Sequence, residues 1–190
     1  MTNKRTLAKL GFAAALLVTA AGLAHAADPF TVTSPAFKDG GALATKNAGN
    51  IKGNANCVGD NTSPPLAWSN PPAGTTSYAL MMTDPDGALG LGVVHWIAYG
   101  IPATVTSFAE GEVGKPSDKY VGGKGSRGES IYLGPCPPPG TGQHHYVFTL
   151  IATDLEPKAL APGLTQIELV AQLKGHAKAG ASIVGLFGRP

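Results

Sequence analysis

The stretch SYALMMT, residues 77–83, decides the fold class of this chain. Its five central residues are all apolar, and the run has the length of a strand rather than of a helix. A strand covered on one face alternates apolar and polar residues, whereas a strand buried on both faces is apolar throughout. The stretch therefore predicts a central strand in a sheet that has cover on both sides.

The regions on either side of this strand predict a mainly β chain. Further strands are predicted at residues 93–99 (VVHWIAY) and 146–153 (YVFTLIAT), with shorter ones at 30–33 and 181–187. The 190 residues include 26 glycines and 16 prolines, and such punctuation is typical of turns between strands rather than of long helices.

One segment near the C-terminus, residues 165–177 (TQIELVAQLKGHA), has helical spacing instead. Thr165, with Glu168 three residues later, forms a capping-box pattern at its start, and Gly175 is predicted to end it. The predicted apolar stripe of this helix consists of Ile167, Leu169, Val170 and Leu173.

Residues 1–26 have the pattern of a secretory signal peptide. Basic residues begin the segment, a short apolar run follows, and Ala24-His25-Ala26 has the small-residue spacing of a cleavage site. The apolar run is shorter than the roughly 20 residues that cross a bilayer. We therefore expect export to the periplasm, cleavage after Ala26, and a single domain over residues 27–190 with no transmembrane segment.

The composition of residues 27–190 limits the partners and the redox chemistry that can be expected. Three of the 14 Lys and Arg residues lie in residues 1–26, which leaves 11 basic against 12 acidic residues and gives no support to nucleic-acid binding. Cys57 and Cys136 could stay unpaired, but an oxidising compartment favours a disulfide between them.

A stiff proline-rich run stands directly before two histidines in LGPCPPPGTGQHHYVFTL, residues 133–150. Successive side chains of a strand point to opposite faces. If this part of the chain is extended, His144 and Tyr146 share one face and His145 takes the other. His144 and Tyr146 are therefore candidates for one site, whereas His145 is expected to pack elsewhere or to meet solvent.

Two further candidate residues lie on the neighbouring strands. Asp84 opens the DPD motif that follows the first strand, where it could serve a site or simply form a turn. By alternation, His95 shares a face with Val93 and Ile97, and it could be a site residue or a hydrogen-bonded core residue.

These residue types suit a small pocket for an anion, because imidazole, phenol O–H and backbone N–H groups all donate hydrogen bonds. Zinc binding by two His and one Asp is the alternative, although no HxxxH or CxxC spacing supports it. A nucleophilic triad is less favoured, since the chain has no GxSxG motif. The Gly-rich segments 87–92 and 122–128 match no nucleotide-binding pattern and are interpreted as loops, so no cofactor is predicted.

Several short motifs follow one another along the chain. They are CxGDNxSPPLxW at 57–68, DPD at 84–86, HW at 95–96, GPCPP at 134–138 and GxGxHxY at 140–146. Each motif is weak singly, but together and in this order they resemble the phosphatidylethanolamine-binding protein family. Within that family the resemblance is to the bacterial Raf kinase inhibitor-like proteins, and it covers nearly all of residues 27–190.

The resemblance implies a mainly β fold with a large central antiparallel sheet, a smaller sheet against it and a C-terminal helix. It also implies a small pocket that accepts phosphate-like groups, including phospholipid head groups. By position, the pocket residues would be Asp84, His95, Cys136, Pro137, Pro138, His144 and Tyr146. The family usually continues DPD with Ala-Pro, whereas Gly87-Ala88-Leu89 stands here, so we expect a more mobile loop on this side.

Three functions remain open at this point, because a fold does not fix a function. We favour a non-enzymatic exported protein that binds a small anion or a phospholipid head group, or that regulates or inhibits a protein partner. The second hypothesis is a metal-dependent or acid–base hydrolase that uses Asp84, His95 and His144. The third is an envelope structural or stress protein whose pocket is incidental.

Overall fold

The computed structural model describes residues 28–190, which form two β-sheets and a few short helical segments. The predicted signal peptide, residues 1–26, lies outside the described residues, and the cleavage site and domain limits stay predictions. Within the described range, no helix combines the length and the apolar character that crossing a bilayer requires.

Nine strands form the two sheets of the described chain. They are β1 Thr31–Thr33, β2 Gly41–Ala42, β3 Leu66–Ser69, β4 Ser77–Asp84, β5 Val93–Pro102, β6 Ser107–Phe108, β7 Val121–Gly122, β8 Gly142–Thr153 and β9 Ala177–Arg189. The larger sheet has the order β2-β9-β8-β4-β5-β7, and the smaller has the order β1-β3-β6. All neighbouring strands are antiparallel except β2 and β9, which pair in parallel at one edge. The predicted mainly β fold with a large and a small sheet is confirmed.

Strand β4 is buried on both faces, as the run SYALMMT predicts. Tyr78, Leu80 and Met82 belong to the core between the two sheets, where they pack with aromatic residues of β3, β5 and β8. Ala79 and Met81 belong to a second core on the opposite face of the large sheet. Both faces are covered because β4 lies in the middle of this sheet, between β5 and β8.

The helical segments are α1 Gly87–Gly90, α2 Gln166–Leu173 and two 3-10 turns, Thr45–Asn47 and Glu112–Gly114. Helix α2 begins as predicted: the Glu168 N–H donates to the Thr165 hydroxyl, and the Glu168 carboxylate accepts the Thr165 N–H. The helix ends at Leu173, and Gly175 just beyond it adopts a left-handed conformation with φ of 81°, in agreement with the predicted end; the chain then continues into β9.

The predicted apolar stripe of α2 is wrong for two of its four residues. Leu169 and Leu173 are 0% and 4% exposed and pack on the second core, but Ile167 is 83% exposed and Val170 is 46% exposed. Residues four apart lie nearly in line on a helix of 3.6 residues per turn, whereas steps of three drift around its axis. The pair Leu169 and Leu173 therefore sets the face that docks.

Candidate functional site

A single cavity of about 140 Å³ lies where β4 ends and β5 and β8 begin. Its lining includes every pocket residue predicted from the sequence: Asp84, His95, Cys136, Pro137, Pro138, His144 and Tyr146. The other lining residues are Gly87, Ala88, Val93 and Arg127. Sites for drug-sized ligands measure roughly 300–1,000 Å³. This cavity is therefore of a size for a small ion or a head group.

Asp84 is the buried carboxylate of the cavity, with 3% of its surface exposed. Its Oδ1 accepts the N–H groups of Asp86 and Gly87 at 2.9 and 3.0 Å. Its Oδ2 faces the two imidazoles of the cavity. The turn role of Asp84 is therefore confirmed through Oδ1, while its role in a site stays a prediction, for which Oδ2 is the available oxygen.

His144 connects this carboxylate to the start of β8. Its Nδ1–H donates to Asp84 Oδ2 at 2.8 Å, and its Nε2 lies 3.0 Å from the Thr141 hydroxyl oxygen. That hydroxyl also donates to the Pro138 carbonyl at 2.8 Å. A threonine has one hydroxyl proton, so the Pro138 carbonyl and His144 Nε2 compete for it. Thr141 thus links His144 to the proline-rich segment.

His95 approaches the same carboxylate from β5. Its Nδ1–H donates to the Leu133 carbonyl at 2.9 Å, which leaves Nε2 without a proton in the neutral ring. Nε2 lies 3.9 Å from Asp84 Oδ2, a separation too long for a direct hydrogen bond. Nε2 of His95 is therefore free to meet a ligand.

A β-bulge decides the direction in which His95 points. Met82 pairs with Trp96 and Thr83 pairs with Val94, so His95 is an additional residue on β5. The bulge places His95 beside Tyr146, with ring centroids 5.2 Å apart, on the side of the sheet where Trp96 also lies. The predicted shared face with Ile97 is therefore wrong, because Ile97 belongs to the opposite core.

Tyr146 lines the cavity with a fully buried side chain. Its hydroxyl has no hydrogen-bond partner within residues 28–190. Burial, and then the negative charge of Asp84, raise the pKa of Tyr146 well above its usual range, so the group remains a proton donor at neutral pH. The predicted alternation is confirmed, since His144 and Tyr146 are buried while His145 between them is exposed.

The charge state of Asp84 follows from two opposing influences. Burial alone would raise the pKa of Asp84, but the neighbouring imidazoles of His95 and His144 outweigh it and hold the pKa below its usual value. The carboxylate is therefore ionised at neutral pH, and the hydrogen bond from His144 offsets part of its charge.

The proline-rich segment forms a wall of the cavity that is tied to the rest of the fold. A disulfide joins Cys57 to Cys136, in agreement with the pairing that export favours. The Asn61 side chain accepts the Gly134 N–H at 2.8 Å, and a Cβ at Gly134 would overlap the Asn47 carbonyl oxygen. Because Pro137 and Pro138, which line the cavity, have no N–H, this wall offers mainly carbonyls and ring surfaces to a ligand.

Two residues of the site were missed by the sequence reasoning. Arg127 lines the cavity with an exposed side chain, although its segment was interpreted only as a loop. Thr141 joins His144 to the proline-rich wall. Neither residue belongs to a spacing pattern that indicates chemistry, so only the folded arrangement reveals them.

Asp86 and His145 form an exposed pair outside the cavity. The Asp86 carboxylate accepts both the backbone N–H and the Nδ1–H of His145, at 2.8 and 2.9 Å. These hydrogen bonds hold the turn after β4 against β8.

The turn that departs from the family pattern is closed by backbone hydrogen bonds. The Leu91 N–H donates to the Ala88 carbonyl, and the Gly92 N–H donates to the Gly87 carbonyl. The segment interpreted as a loop contains the single-turn helix α1, in which Ala88 and Leu89 adopt left-handed φ values of 50° and 60°. The greater mobility expected for this turn stays a prediction.

The donor geometry of residues 28–190 does not support the zinc alternative. No group of three or more His, Cys, Asp or Glu side chains in that range is arranged to hold a metal ion. The arrangement instead directs Nδ1 of His144 toward Asp84 and Nδ1 of His95 toward a backbone carbonyl. The donors of the cavity are therefore oriented for hydrogen bonding.

Comparison with known proteins agrees with this fold. Residues 33–188 match the family described as phosphatidylethanolamine-binding protein. The "Putative lipoprotein LppC" of Mycobacterium tuberculosis is 38% identical over 173 residues, which cover 91% of this chain and 79% of that protein. A UPF0098 protein of Aquifex aeolicus is 34% identical over 160 residues, covering 80% of this chain and 93% of that protein.

A solved structure gives the same result. The crystal structure of Escherichia coli YbcL, described as a new member of the mammalian PEBP family, superposes with a TM-score of 0.75 at 34% identity. The match covers 85% of this chain and 99% of YbcL. The fold of this chain is thus shared with YbcL. The chain belongs to the phosphatidylethanolamine-binding protein family.

Proposed function

We propose that this protein is an exported, non-enzymatic binder of a small anion, either free phosphate or the phosphate of a phospholipid head group. The observation that carries the proposal is the buried Tyr146 hydroxyl, which has no partner within residues 28–190 and belongs to the cavity lining. An unpaired buried polar group costs about 1–3 kcal/mol. A ligand oxygen that accepts this hydrogen bond would offset that cost.

The other polar groups of the cavity complement a phosphate-like ligand. Nε2 of His95 accepts the proton of a singly protonated phosphate, or donates to the ligand once it is itself protonated. Arg127 at the rim supplies positive charge and can bind two phosphate oxygens at once. The volume of about 140 Å³ admits a head group, so the acyl chains of a phospholipid would remain outside.

Two further observations support the proposal at the level of the cell. The pattern of residues 1–26 and the lipoprotein name of LppC both favour export, for which we propose the periplasm. Members of this family are generally binding proteins rather than catalysts. A protein partner in the same compartment that binds the ligand-bound form would make this protein a regulator or inhibitor.

The experiment is a titration with phosphoethanolamine, followed by calorimetry and by the NMR signals of the histidine rings. We expect the ring signals of His95 and His144 to shift together, because both rings line the cavity. Arg127→Gln should weaken binding about tenfold, and the loss should shrink at high salt because an exposed charge is screened. Lys124→Gln is the matched control, since Lys124 lies in the same loop but outside the cavity lining.

Two results would contradict the proposal. Histidine signals that stay unchanged at millimolar phosphoethanolamine would remove the anion site and favour the structural role. Equal losses of phosphoethanolamine affinity in Arg127→Gln and Lys124→Gln would show that only the general positive charge of the loop matters, not a specific contact of Arg127.

One observation favours a second candidate function, an acid–base hydrolase. Asp84, His144 and Thr141 are joined in series by contacts of 2.8 and 3.0 Å, and Thr141 is exposed at the end of the series. A hydroxyl backed by an imidazole and a buried carboxylate is the arrangement that activates a nucleophile. Against this candidate, the Pro138 carbonyl lies 2.8 Å from the same hydroxyl and competes with His144 for its single proton.

A fluorophosphonate probe separates the two candidates, because an activated hydroxyl attacks phosphorus and releases fluoride. The binding proposal predicts no labelling of the wild-type protein. Labelling that Thr141→Val removes and Thr141→Ser retains would establish the hydrolase candidate instead.

A further inference from the structure

Two leucines beside the cavity are almost completely exposed to solvent. Leu89 is 101% exposed and Leu91 is 90% exposed, the highest values among the exposed large hydrophobic side chains of residues 28–190. Single exposed apolar side chains are ordinary on protein surfaces. Two such leucines on one short turn form a local apolar projection, which we name the leucine tip (residues 88–91).

The leucine tip is continuous with the wall of the cavity. Gly87 and Ala88 line the cavity, and Leu89 follows them directly in the chain. Hydrogen bonds from Gly90 N–H to the Asp86 carbonyl and from Gly92 N–H to the Gly87 carbonyl close the turn at its base. The tip is thus held beside the opening of the cavity.

The conformation of the tip is costly as well as exposed. Ala88 and Leu89 both have positive φ values, 50° and 60°, which side chains with a Cβ rarely adopt. Glycine or asparagine would fit this backbone with less strain and better hydration. A leucine in this position gains nothing from packing within the described chain, so its benefit must come from a contact outside it.

A positive charge at the same cavity narrows the choice of that contact. Arg127 lines the cavity with an exposed side chain, and the cavity fits a phosphate head group by size. Apolar side chains that flank a cation and a phosphate-sized pocket match the layers of a phospholipid surface, in which phosphates lie directly above acyl chains.

We propose that the leucine tip docks this protein on a phospholipid surface, with Leu89 and Leu91 in the acyl layer while a lipid head group occupies the cavity. This inference rests on the proposed anion site, because the head group would enter that cavity. It adds the partner surface and two residues that make the contact.

The test is co-sedimentation with vesicles of equal parts phosphatidylethanolamine and phosphatidylglycerol, using the protein as the cell processes it, with its N-terminus established by intact mass. Leu89→Asn with Leu91→Gln keeps the turn, since asparagine tolerates the left-handed conformation. Burial of a leucine changes partitioning by about tenfold or more, so the double variant should lose roughly a hundredfold. Its binding of soluble phosphoethanolamine should equal that of the wild type.

Ile167→Gln with Val170→Gln is the matched control, because it removes two exposed apolar side chains from helix α2 that lie outside the cavity lining. This control should sediment like the wild type. The inference is overturned if the wild type binds no vesicles, if the leucine-tip variant sediments unchanged, or if both variants lose equally. Failure of the anion site itself would appear separately, as loss of phosphoethanolamine binding by the wild-type protein.

Discussion

At the scale of single residues, the Tyr146 hydroxyl separates binding from stability. Removing an unpaired buried hydroxyl with Tyr146→Phe should leave the free energy of unfolding unchanged or raise it by up to about 1 kcal/mol. The same variant should bind phosphoethanolamine about tenfold more weakly, because a hydrogen bond to a charged ligand is lost. Urea denaturation and calorimetric titration measure the two effects.

Tyr132→Phe is the control for this prediction. The Tyr132 hydroxyl is also buried, but it donates to the Asn47 carbonyl at 2.8 Å and lies outside the cavity lining. Its removal should lower the free energy of unfolding by about 1–2 kcal/mol and leave binding unchanged. The reverse pattern in the two variants would contradict the role assigned to Tyr146.

The depressed pKa of Asp84 predicts a specific loss of stability in acid. The pKa of Asp84 in the folded protein lies below its unfolded value of about 4, so the ionised group stabilises the fold above that pH. This contribution is lost as the pH falls below about 4 and through the folded pKa. Asp84→Asn should therefore show a smaller decrease in the free energy of unfolding between neutral and acidic pH than the wild type.

Asp86→Asn provides the comparison for the acid profile. Asp86 is exposed and its interaction with His145 is screened by solvent, so its removal should leave the profile close to that of the wild type. Urea denaturation at a series of pH values measures both variants. If the free energy of unfolding of Asp84→Asn falls in acid as much as that of the wild type, Asp84 is not the source of the loss of stability in acid.

At the scale of secondary-structure elements, the docking face of helix α2 gives a further prediction. Leu169 is buried against the second core, so Leu169→Ala should lower the free energy of unfolding by about 2–5 kcal/mol. Ile167 is exposed, and Ile167→Ala should change it by no more than about 0.5 kcal/mol. Chemical denaturation of the two variants measures these changes. Comparable decreases in the free energy of unfolding would support the apolar stripe predicted from the sequence instead.

Strand alternation was a reliable guide where pairing was regular and failed where it was not. On β8 the residues from His144 to Ala152 pair with β9 without a shift in register, and alternation correctly separated His144 from His145. On β5 the bulge at His95 interrupts the register. A bulge depends on how two strands meet, so the sequence of one strand does not reveal it.

At the scale of the whole molecule, the disulfide ties the loop at Cys57 to the cavity wall 79 positions later. Loop-closure entropy sets an upper limit of about 4–5 kcal/mol for its contribution to stability. Cys57→Ser with Cys136→Ser should lose part of that energy and should also bind phosphoethanolamine more weakly, because the wall is no longer preorganised.

Denaturation and titration of oxidised wild type, reduced wild type and the double variant test this prediction. The reduced protein and the double variant should behave alike. Unchanged phosphoethanolamine affinity in both would separate the disulfide from the cavity and leave it a purely structural link.

The sequence by itself determined the central strand β4, the start of helix α2, the pairing of His144 with Tyr146 and, through its motifs, the family. These features depend on local periodicity, capping and motif order, which are readable along one chain segment. Tertiary structure alone decided the direction of His95 and the entry of Arg127 into the site. Both depend on contacts between distant segments, a bulge between two strands and a loop laid over a cavity, which no local pattern encodes.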